Sequence, residues 1–395
     1  MADSSLGVAV IGAGMAGRAH AAGYRAANAA ADGSLPGVRL VAIADVNEEF
    51  ATDAARRFGY QRAETSWEAV AQAPDVDVVS VVVANPLHRV IVEGLLAAGK
   101  HVLCEKPLAP SIEDAQAMVA AAATSDRQSG VGFTFRRSPA ISAIVHQLRS
   151  GALGDAVHFN GHYWCDYGCD PKAPMSWRYQ GGPGTGALSD IGSHLIDLAE
   201  TVCGPIAAVR GGVFSTVIAE RPLPLGAAVG HAAAIEVSDE TAPVENEDLV
   251  TFTATFVSGA TATLTASRVA YGLPNSLGFE LFAEAGAATF DLARTSEFGF
   301  IDASPPSATN GYRQVLVGPA HPYIAGGLAM DFPGVNYGQN DLFVWQATAF
   351  LEQVAGIDRL PPVPSFEDGL HNLHLLRAVA RSAAAGGAEV VVDKA

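Results

Sequence analysis

Lysine is nearly absent from this chain: only Lys100, Lys106, Lys172 and Lys394 stand among 24 basic residues, the other 20 being Arg. A lysine at a chemically useful position therefore stands out. Charge as a whole is thin, at 16% of residues where about 25% is usual. What charge there is leans acidic, 41 Asp+Glu against 24 Lys+Arg, for a net −17. Adhesion to phosphodiester backbones or anionic membranes rests on cationic side chains, so the balance argues against nucleic-acid and membrane partners and favours small neutral ones. Cysteine is scarce too. Cys104, Cys165, Cys169 and Cys203 are too few to staple 395 residues and read as free thiols in a reducing compartment. Cys165 and Cys169 have no second liganding pair in sequence, so no metal site is expected. No run approaches the roughly 20 apolar residues a bilayer needs. The densest, Val76 to Ala84, is broken by Asp77 and Ser80. Asp3 lies where a secretory leader carries positive charge, and Leu6 to Ile11 runs straight into a glycine turn, so the N-terminus reads as a first strand and the location as cytoplasmic.

What is present is 49% hydrophobic sequence, long enough at about 150 residues per domain for two or three domains. Leu6 to Ile11, Arg39 to Ala44, Val76 to Val83, His101 to Cys104 and Gly130 to Thr134 are short apolar runs of strand length, separated by helix-compatible stretches: from after Gly17 to about Ala31, Asn47 to Phe58, Pro86 to Ala98 and Ile112 to Ala123. Regular alternation of this kind predicts a doubly wound parallel sheet over residues 1–134. From 135 to 395 the texture changes to longer alternating segments: Ala156 to Trp164, Ala207 to Thr216, Asp248 to Phe256, Ala260 to Ser267, Leu277 to Ala283 and Ala287 to Asp291. They predict an α+β domain with a large, open, mostly antiparallel sheet. Helices around Ser189 to Val202 and Asp341 to Ala355 are expected to cover one of its faces, with a further helix from Phe366 to Ala384. Pro222 to Pro243 reads as a long loop.

The turn Gly12-Ala13-Gly14-Met15-Ala16-Gly17 fits G-x-G-x-x-G between a strand and a helix. The first glycine permits the tight turn, the second a close approach to pyrophosphate, the third the packing of helix on strand. With 41 glycines in the chain such spacing also arises by chance, so context decides. Asp45 ends the second strand, where a carboxylate accepts hydrogen bonds from a ribose diol and repels a 2′-phosphate. NAD is therefore expected rather than NADP, although Arg18, Arg56 and Arg57 offer a phosphate alternatives. Ala84-Asn85-Pro86-Leu87-His88 follows a strand at the edge where cofactors lie in this fold, and Cys104-Glu105-Lys106-Pro107 follows the next. Downstream, Asp190 and His194 share one helix face by their i,i+4 spacing. Read from spacing alone, each of these groups also fits a purely structural role. His158 and His162, on one face of a strand, read as core or rim.

Taken together, GAGMAG, the Asp45 strand end, GKHVLCEKPLA (Gly99 to Ala109), SWR (Ser176 to Arg178) and ALSDIGSHLIDLA (Ala187 to Ala199) resemble the Gfo/Idh/MocA oxidoreductases in order and spacing over most of the chain. The resemblance implies an N-terminal Rossmann domain, and a C-terminal domain whose open sheet assembles a homo-oligomer, dimer or tetramer. The stretches Phe135 to Ala140, Asp166 to Tyr179 and Gly318 to Tyr323 look most like the branch that oxidises levoglucosan and related glucosides at C3. Ala84-Asn85-Pro86 departs from the Thr-Pro-Asn type of turn frequent in relatives.

Carried over residue by residue, the resemblance makes Lys106, Asp190 and His194 catalytic. His194 would act as general base on the substrate hydroxyl, Lys106 would stabilise the charge developing on that oxygen, and Asp190 would orient substrate and support the imidazole. Cofactor contacts fall on Gly12, Gly14, Met15, Ala16, Gly17, Asp45, Ala84, Asn85, His88, Glu105, Lys106, Arg136, Trp177 and Arg178. Substrate contacts fall on Lys106, Phe135, Asp166, Tyr167, Arg178, Asp190 and His194. The expected reaction is NAD-dependent oxidation of a secondary ring hydroxyl of a sugar or glycoside to a 3-keto sugar. Alternatives left open are an inositol dehydrogenase, a glycoside-cleaving enzyme that retains its cofactor, and a non-catalytic dinucleotide-binding regulator.

Overall fold

A computed structural model describes residues 5–30, 33–226, 236–303, 309–325, 330, 332 and 334–393. In chain order the elements are β1 (Leu6–Ile11), α1 (Met15–Ala30), β2 (Val38–Ala44), α2 (Glu48–Phe58), β3 (Arg62–Glu64), α3 (Trp67–Gln72), β4 (Val78–Val81), α4 (His88–Ala97), β5 (His101–Cys104), α5 (Ile112–Ala123), β6 (Ser129–Val131), α6 (Pro139–Arg149), β7 (Ala156–Trp164) and α7 (Ser193–Cys203). There follow β8 (Ile206–Ser215), β9 (Glu220–Pro224), β10 (Val237–Pro243), β11 (Leu249–Phe256), β12 (Thr261–Ser267), β13 (Ser276–Ala283), β14 (Gly286–Asp291), β15 (Glu297–Asp302), β16 (Arg313–Leu316), α8 (Gln339–Ala355), α9 (Phe366–Ala384) and β17 (Val390–Val391). They group into two compact units, Met1–Pro139 with Val317–His371, and Ala140–Leu316 with Asn372–Ala395. Unit 1 thus adds a late segment of the chain to the expected 1–134 stretch.

In unit 1 six described strands form a sheet in the order β3-β2-β1-β4-β5-β6, and every pairing is parallel. All four residues of β4 are buried, as a strand covered on both faces requires. Strand order reverses between β1 and β4, which places the switch point of a doubly wound sheet beside the glycine turn. The edge strand β3 is absent from the sequence reading because Arg62-Ala63-Glu64 carries no apolar run. It is held by its ladder to β2 and by a two-pronged pairing of Arg62 with Asp75, at 2.7 and 3.0 Å.

The helix near Asp341 corrects an expectation. As α8 it belongs to unit 1, where it packs against α1. The reason is backbone contact: a Cβ on Gly23 of α1 would fall 2.6 Å from the Phe343 carbonyl oxygen of α8.

In unit 2 a nine-stranded sheet runs β16-β15-β14-β13-β7-β12-β11-β8-β17. β7 and β12 are parallel; the other pairings are antiparallel, as expected for this domain. Helix α7 lies on β7 and β12, and Gly161 of β7 makes room for it, since a Cβ there would stand 2.9 Å from Leu195 Cδ1. His158 and His162 are half-buried; His158 Nδ1 is 2.8 Å from Thr261 Oγ1, and the His162 ring stacks on Trp164. The segment read as a loop from Pro222 to Pro243 ends instead in an antiparallel pair, β9 with β10, while its residues 227–235 lie outside the described ones. No helix among the described residues is long and apolar enough to cross a membrane.

The close approach of α1 and α8 generates a prediction. Gly23→Val puts two methyl groups against a backbone carbonyl that cannot step aside, and overpacking of this kind costs about 1–3 kcal/mol. A lowered midpoint in urea denaturation is expected, and an unchanged midpoint would remove this contact from the account.

Candidate active site

Unit 1 gathers its candidate residues on the loops that leave the carboxyl ends of β1, β2, β4 and β5. Two of the three glycines are required by the protein itself. Gly12 has φ +103°, and a Cβ on it would sit 2.0 Å from Val82 O; one on Gly17 would sit 1.8 Å from Gly12 O. Gly14 is different. A Cβ there would meet no protein atom within 4 Å, so the space in front of it is open to a ligand. With the N-terminus of α1 starting at the next residue, this is a cradle that suits a pyrophosphate, and the residues present fit a dinucleotide. Met15 is 65% exposed at the helix start, beside half-buried Ala16.

Asp45 braces the same turn. Its Oδ2 accepts the Ala13 N–H at 2.7 Å and its Oδ1 the Asn47 N–H at 2.9 Å. Each carboxylate oxygen has a second acceptor direction, which is what a ribose diol needs. Of the arginines that offered a 2′-phosphate alternatives, Arg18 donates through Nε to Ala13 O at 3.1 Å, and Arg56 and Arg57 pair with Asp53 at 2.8 and 3.6 Å.

At the next loop Ala84 and Asn85 enter a short 3-10 turn and are at least partly exposed. His88 lies beneath this turn. It is fully buried, with Nδ1 3.1 Å from Leu108 O and Nε2 3.1 Å from Val83 O. Burial holds its pKa below the ordinary value, and the neutral ring, with a single N–H, donates to one of these two carbonyls beneath the Ala84 turn. Glu105 is likewise committed inward: Oε1 takes His20 Nε2 at 2.8 Å, and Oε2 accepts the Lys106 N–H at 3.1 Å. Lys106 follows, half-buried, before a cis Lys106–Pro107 bond. Phe135 is 3% exposed, and Arg136 lies over the Phe133 ring with Asp368 3.9 Å away.

Unit 2 brings together Tyr167, Arg178, Asp190 and His194. The Tyr167 hydroxyl donates to Asp190 Oδ2 at 2.6 Å, and Arg178 Nε is 3.9 Å from the same oxygen. Burial, and then the Asp190 charge, push the Tyr167 hydroxyl well above its ordinary pKa, so it remains the donor. Asp190 sits in a π-helical turn, Leu188–Gly192, that leads into α7 and His194. Such turns widen a helix locally and recur at functional sites. The Arg178 guanidinium lies 4.4 Å from the centroid of the Trp177 ring, which is 53% exposed; Asp166 is half-buried beside Tyr167.

The groups that hold this cluster were not read from the sequence. Tyr163 lies 6.3 Å, ring to ring, from His194, and its hydroxyl donates to Asn275 Oδ1 at 2.9 Å. Glu247 is buried and accepts the N–H groups of Gly184, Gly186 and Leu188 at 2.8, 3.1 and 3.0 Å, fixing the chain that leads to Asp190. Arg268, also buried, donates to Asp248, Asn246 and Arg178 O, each at 2.8 Å. It shares the Tyr179 ring with Arg221, their guanidinium carbons 4.5 and 3.9 Å from its centroid. The available signal was Glu245-Asn246-Glu247-Asp248, four polar residues running into a strand. Among the described residues no group of three or more His, Cys, Asp or Glu is disposed to hold a metal.

Glu105 supplies a pH prediction. Burial alone would raise its pKa, but the hydrogen bond and charge of His20 and the charge of Lys106 outweigh it and hold the carboxyl below its ordinary value. A lowered folded pKa stabilises above the unfolded value, about 4.3, and that contribution is lost as pH falls through the folded one. Glu105→Gln is therefore expected to be less stable than the parent at neutral pH, with the gap in urea midpoint closing below about pH 4. A gap independent of pH would contradict this.

Known proteins place this geometry. The model of the oxidoreductase family with an NAD-binding Rossmann fold, Gfo/Idh/MocA, matches residues 6–133, and that of the Gfo/Idh/MocA C-terminal domain matches residues 141–289. A levoglucosan dehydrogenase from Pseudarthrobacter phenanthrenivorans is 36% identical over 383 residues, 96% of each chain. A levoglucosan dehydrogenase solved with NADH and levoglucosan is similar at a TM-score of 0.88 and 34% identity, covering 99% of this chain and 100% of that one. An oxidoreductase domain protein from Kribbella flavida reaches 0.87 at 35% identity, with the same coverage. The chain belongs to the Gfo/Idh/MocA family of oxidoreductases, its NAD-binding Rossmann fold followed by that family's C-terminal domain.

Proposed function

We propose that this protein oxidises a secondary ring hydroxyl of a sugar or glycoside, at C3 of a glucose-type pyranose such as levoglucosan, to a 3-keto sugar, with NAD as cofactor. What carries the reading is that the residues such a reaction needs, Lys106, Asp190 and His194, stand in a chain similar over nearly its whole length to levoglucosan dehydrogenase. NAD rather than NADP follows from Asp45, whose carboxylate suits a ribose diol and repels a 2′-phosphate, and from the engagement of Arg56 and Arg57 with Asp53.

When bound, the nicotinamide supplies the acceptor for the hydride that leaves the carbinol carbon. The chain's own residues do the rest. His194 removes the hydroxyl proton, a task suited to imidazole as the side chain that exchanges protons near neutral pH. The Lys106 ammonium donates a hydrogen bond to the same oxygen and stabilises the negative charge that develops on it. Asp190, its carboxylate fixed by the Tyr167 hydroxyl, orients the substrate and supports the imidazolium. Gly14, Met15 and Asp45 hold the pyrophosphate and ribose ends of the cofactor. Ala84 and Asn85 are carried as contacts to its nicotinamide half, with Trp177 and Arg178; Asp166 reads the remaining sugar hydroxyls. Homo-oligomerisation through the C-terminal sheet stands as a proposal, checked by light scattering of the purified protein.

A panel of levoglucosan, glucose, O- and C-glycosides and inositols, each with NAD or NADP and followed by cofactor absorbance, tests this reading. NADH formation is expected with glucose-type rings, and Lys106→Ala or His194→Asn should lower kcat by about 10²-fold or more. No reduction with any polyol would overturn the function, and a preference for NADP would overturn the role of Asp45.

A further inference from the structure

Beneath the Glu105-Lys106 turn runs a buried chain of polar side chains that none of these steps uses. Tyr24 and Ser80, both fully buried, have their hydroxyl oxygens 2.9 Å apart. Ser80 Oγ lies 3.1 Å from His20 Nδ1, and His20, 2% exposed, places Nε2 2.8 Å from Glu105 Oε1. Glu105 Oε2 then accepts the Lys106 N–H. The contributors are α1 (His20 and Tyr24, one turn apart), β4 (Ser80) and the end of β5 (Glu105). Ser80 interrupts an otherwise all-valine strand, Val78-Val79-Ser80-Val81, in the middle of the sheet. A polar group there is unfavourable unless it is paired. Gly132 belongs to the same construction, because a Cβ on it would come within 2.6 Å of Glu105 Oε1. Phe343 closes the far side of the imidazole, edge-on at 5.4 Å.

The chemistry of the chain singles out histidine. An imidazole donates from Nε2 to a carboxylate while keeping a polar contact at Nδ1. Ser80 and Tyr24 are hydroxyls whose protons rotate. With His20 neutral, Tyr24 donates to Ser80 and Ser80 to Nδ1. With His20 protonated, Nδ1 donates to Ser80 and Ser80 to Tyr24. In both states Nε2–H still points at Glu105, so the carboxylate, and the turn it holds by the Lys106 N–H, keep one position.

We propose that His20 is a positioning residue for Lys106, acting through Glu105 and backed by Ser80 and Tyr24. It deepens the proposed function, since it rests on the role given there to Lys106. The lysine needs a fixed origin because its four-carbon stem is flexible, and a displacement of about 1 Å at a reacting group can cost as much as 10²-fold in rate.

The scarcity of lysine makes a direct test possible. Competitive acetylation with trace acetic anhydride, read by peptide mass spectrometry, reports each lysine separately. Lys100 is the internal control: it lies in the same unit, is 7% exposed, and its Nζ donates to Ala73 O and Val76 O at 2.7 Å each, so its labelling rises only if the sheet loosens generally. In His20→Ala, Lys106 labelling is expected to rise about threefold or more with Lys100 unchanged. Where a sugar is turned over, kcat should fall about tenfold or more with little change in KM. His20→Gln, whose amide can donate to Glu105 and accept from Ser80, should recover most of both. Should His20→Ala not fold, Ser80→Ala gives the same pattern at smaller amplitude. Labelling of Lys106 within twofold of the parent, or a parallel rise at Lys100 and Lys106, overturns the proposal. Because labelling needs no substrate, a protein that oxidised no polyol would refute the proposed function while leaving this result to stand or fall by itself.

Discussion

Every buried main-chain N–H and C=O has to find a partner, and the loops that carry chemistry in this protein lie where regular structure no longer supplies one. Side chains take over there. Glu247 accepts three N–H groups of the glycine-rich approach to Asp190, and Arg221 donates to the carbonyls of Gly168 and Asp170. Arg137 does the same for Pro361 and Pro362, and His88 lies between the carbonyls of Val83 and Leu108 and donates to one of them. Remove these clamps and the loops lose their fixed course, though the sheets beneath them would still pair.

The constraint explains why charge appears where a low-charge chain has least reason to bury it. Arg268 and Asp248 are almost completely enclosed, and breaking such a pair by removing one partner leaves an uncompensated buried charge, at a cost of about 3–5 kcal/mol. Both partners also hold the main chain: Arg268 reaches Arg178 O, and Asp248 Oδ2 accepts the N–H groups of Val217 and Ile218. Arg178, held by its carbonyl in this way, brings its guanidinium toward Asp190. The exposed ion pairs, such as Arg89 with Glu93, have no such reach and contribute little.

Much of the fold was legible because it is written in period and punctuation. β1, β7 and α5 have the bounds their apolar runs and caps announce, and the doubly wound order follows from strand–helix alternation. The edge elements β3, β16 and β17 were not, since an edge strand needs no apolar run. The partner of α8 was hidden as well, because a helix apolar on much of its surface does not say what it will cover, and the close approach at Gly23 appears only once the helices are placed. In the sites, the glycine turn, Asp45, Lys106, Asp190 and His194 were readable as reactive or ligand-facing types at motif spacing. Asn246, Glu247, Asp248, Arg268 and His20 were not. Their work is to satisfy backbone and one another across 60 or more residues of sequence in several cases, as with Glu247 and Gly186 or His20 and Ser80, and no local pattern encodes such a pairing. The two carbonyls beside the His88 ring were equally hidden, since they come from positions 5 and 20 residues away.

The proposed reaction turns on removal of hydrogen from C3 of a glucose-type ring. Levoglucosan carrying deuterium at C3 alone, turned over with NAD by the intact protein, tests that claim with one mass spectrum of the reduced cofactor. Transfer of the single deuterium is the predicted result, with an unlabelled ketone at C3 as co-product; reduced cofactor without deuterium would place the reaction at another carbon and contradict the account.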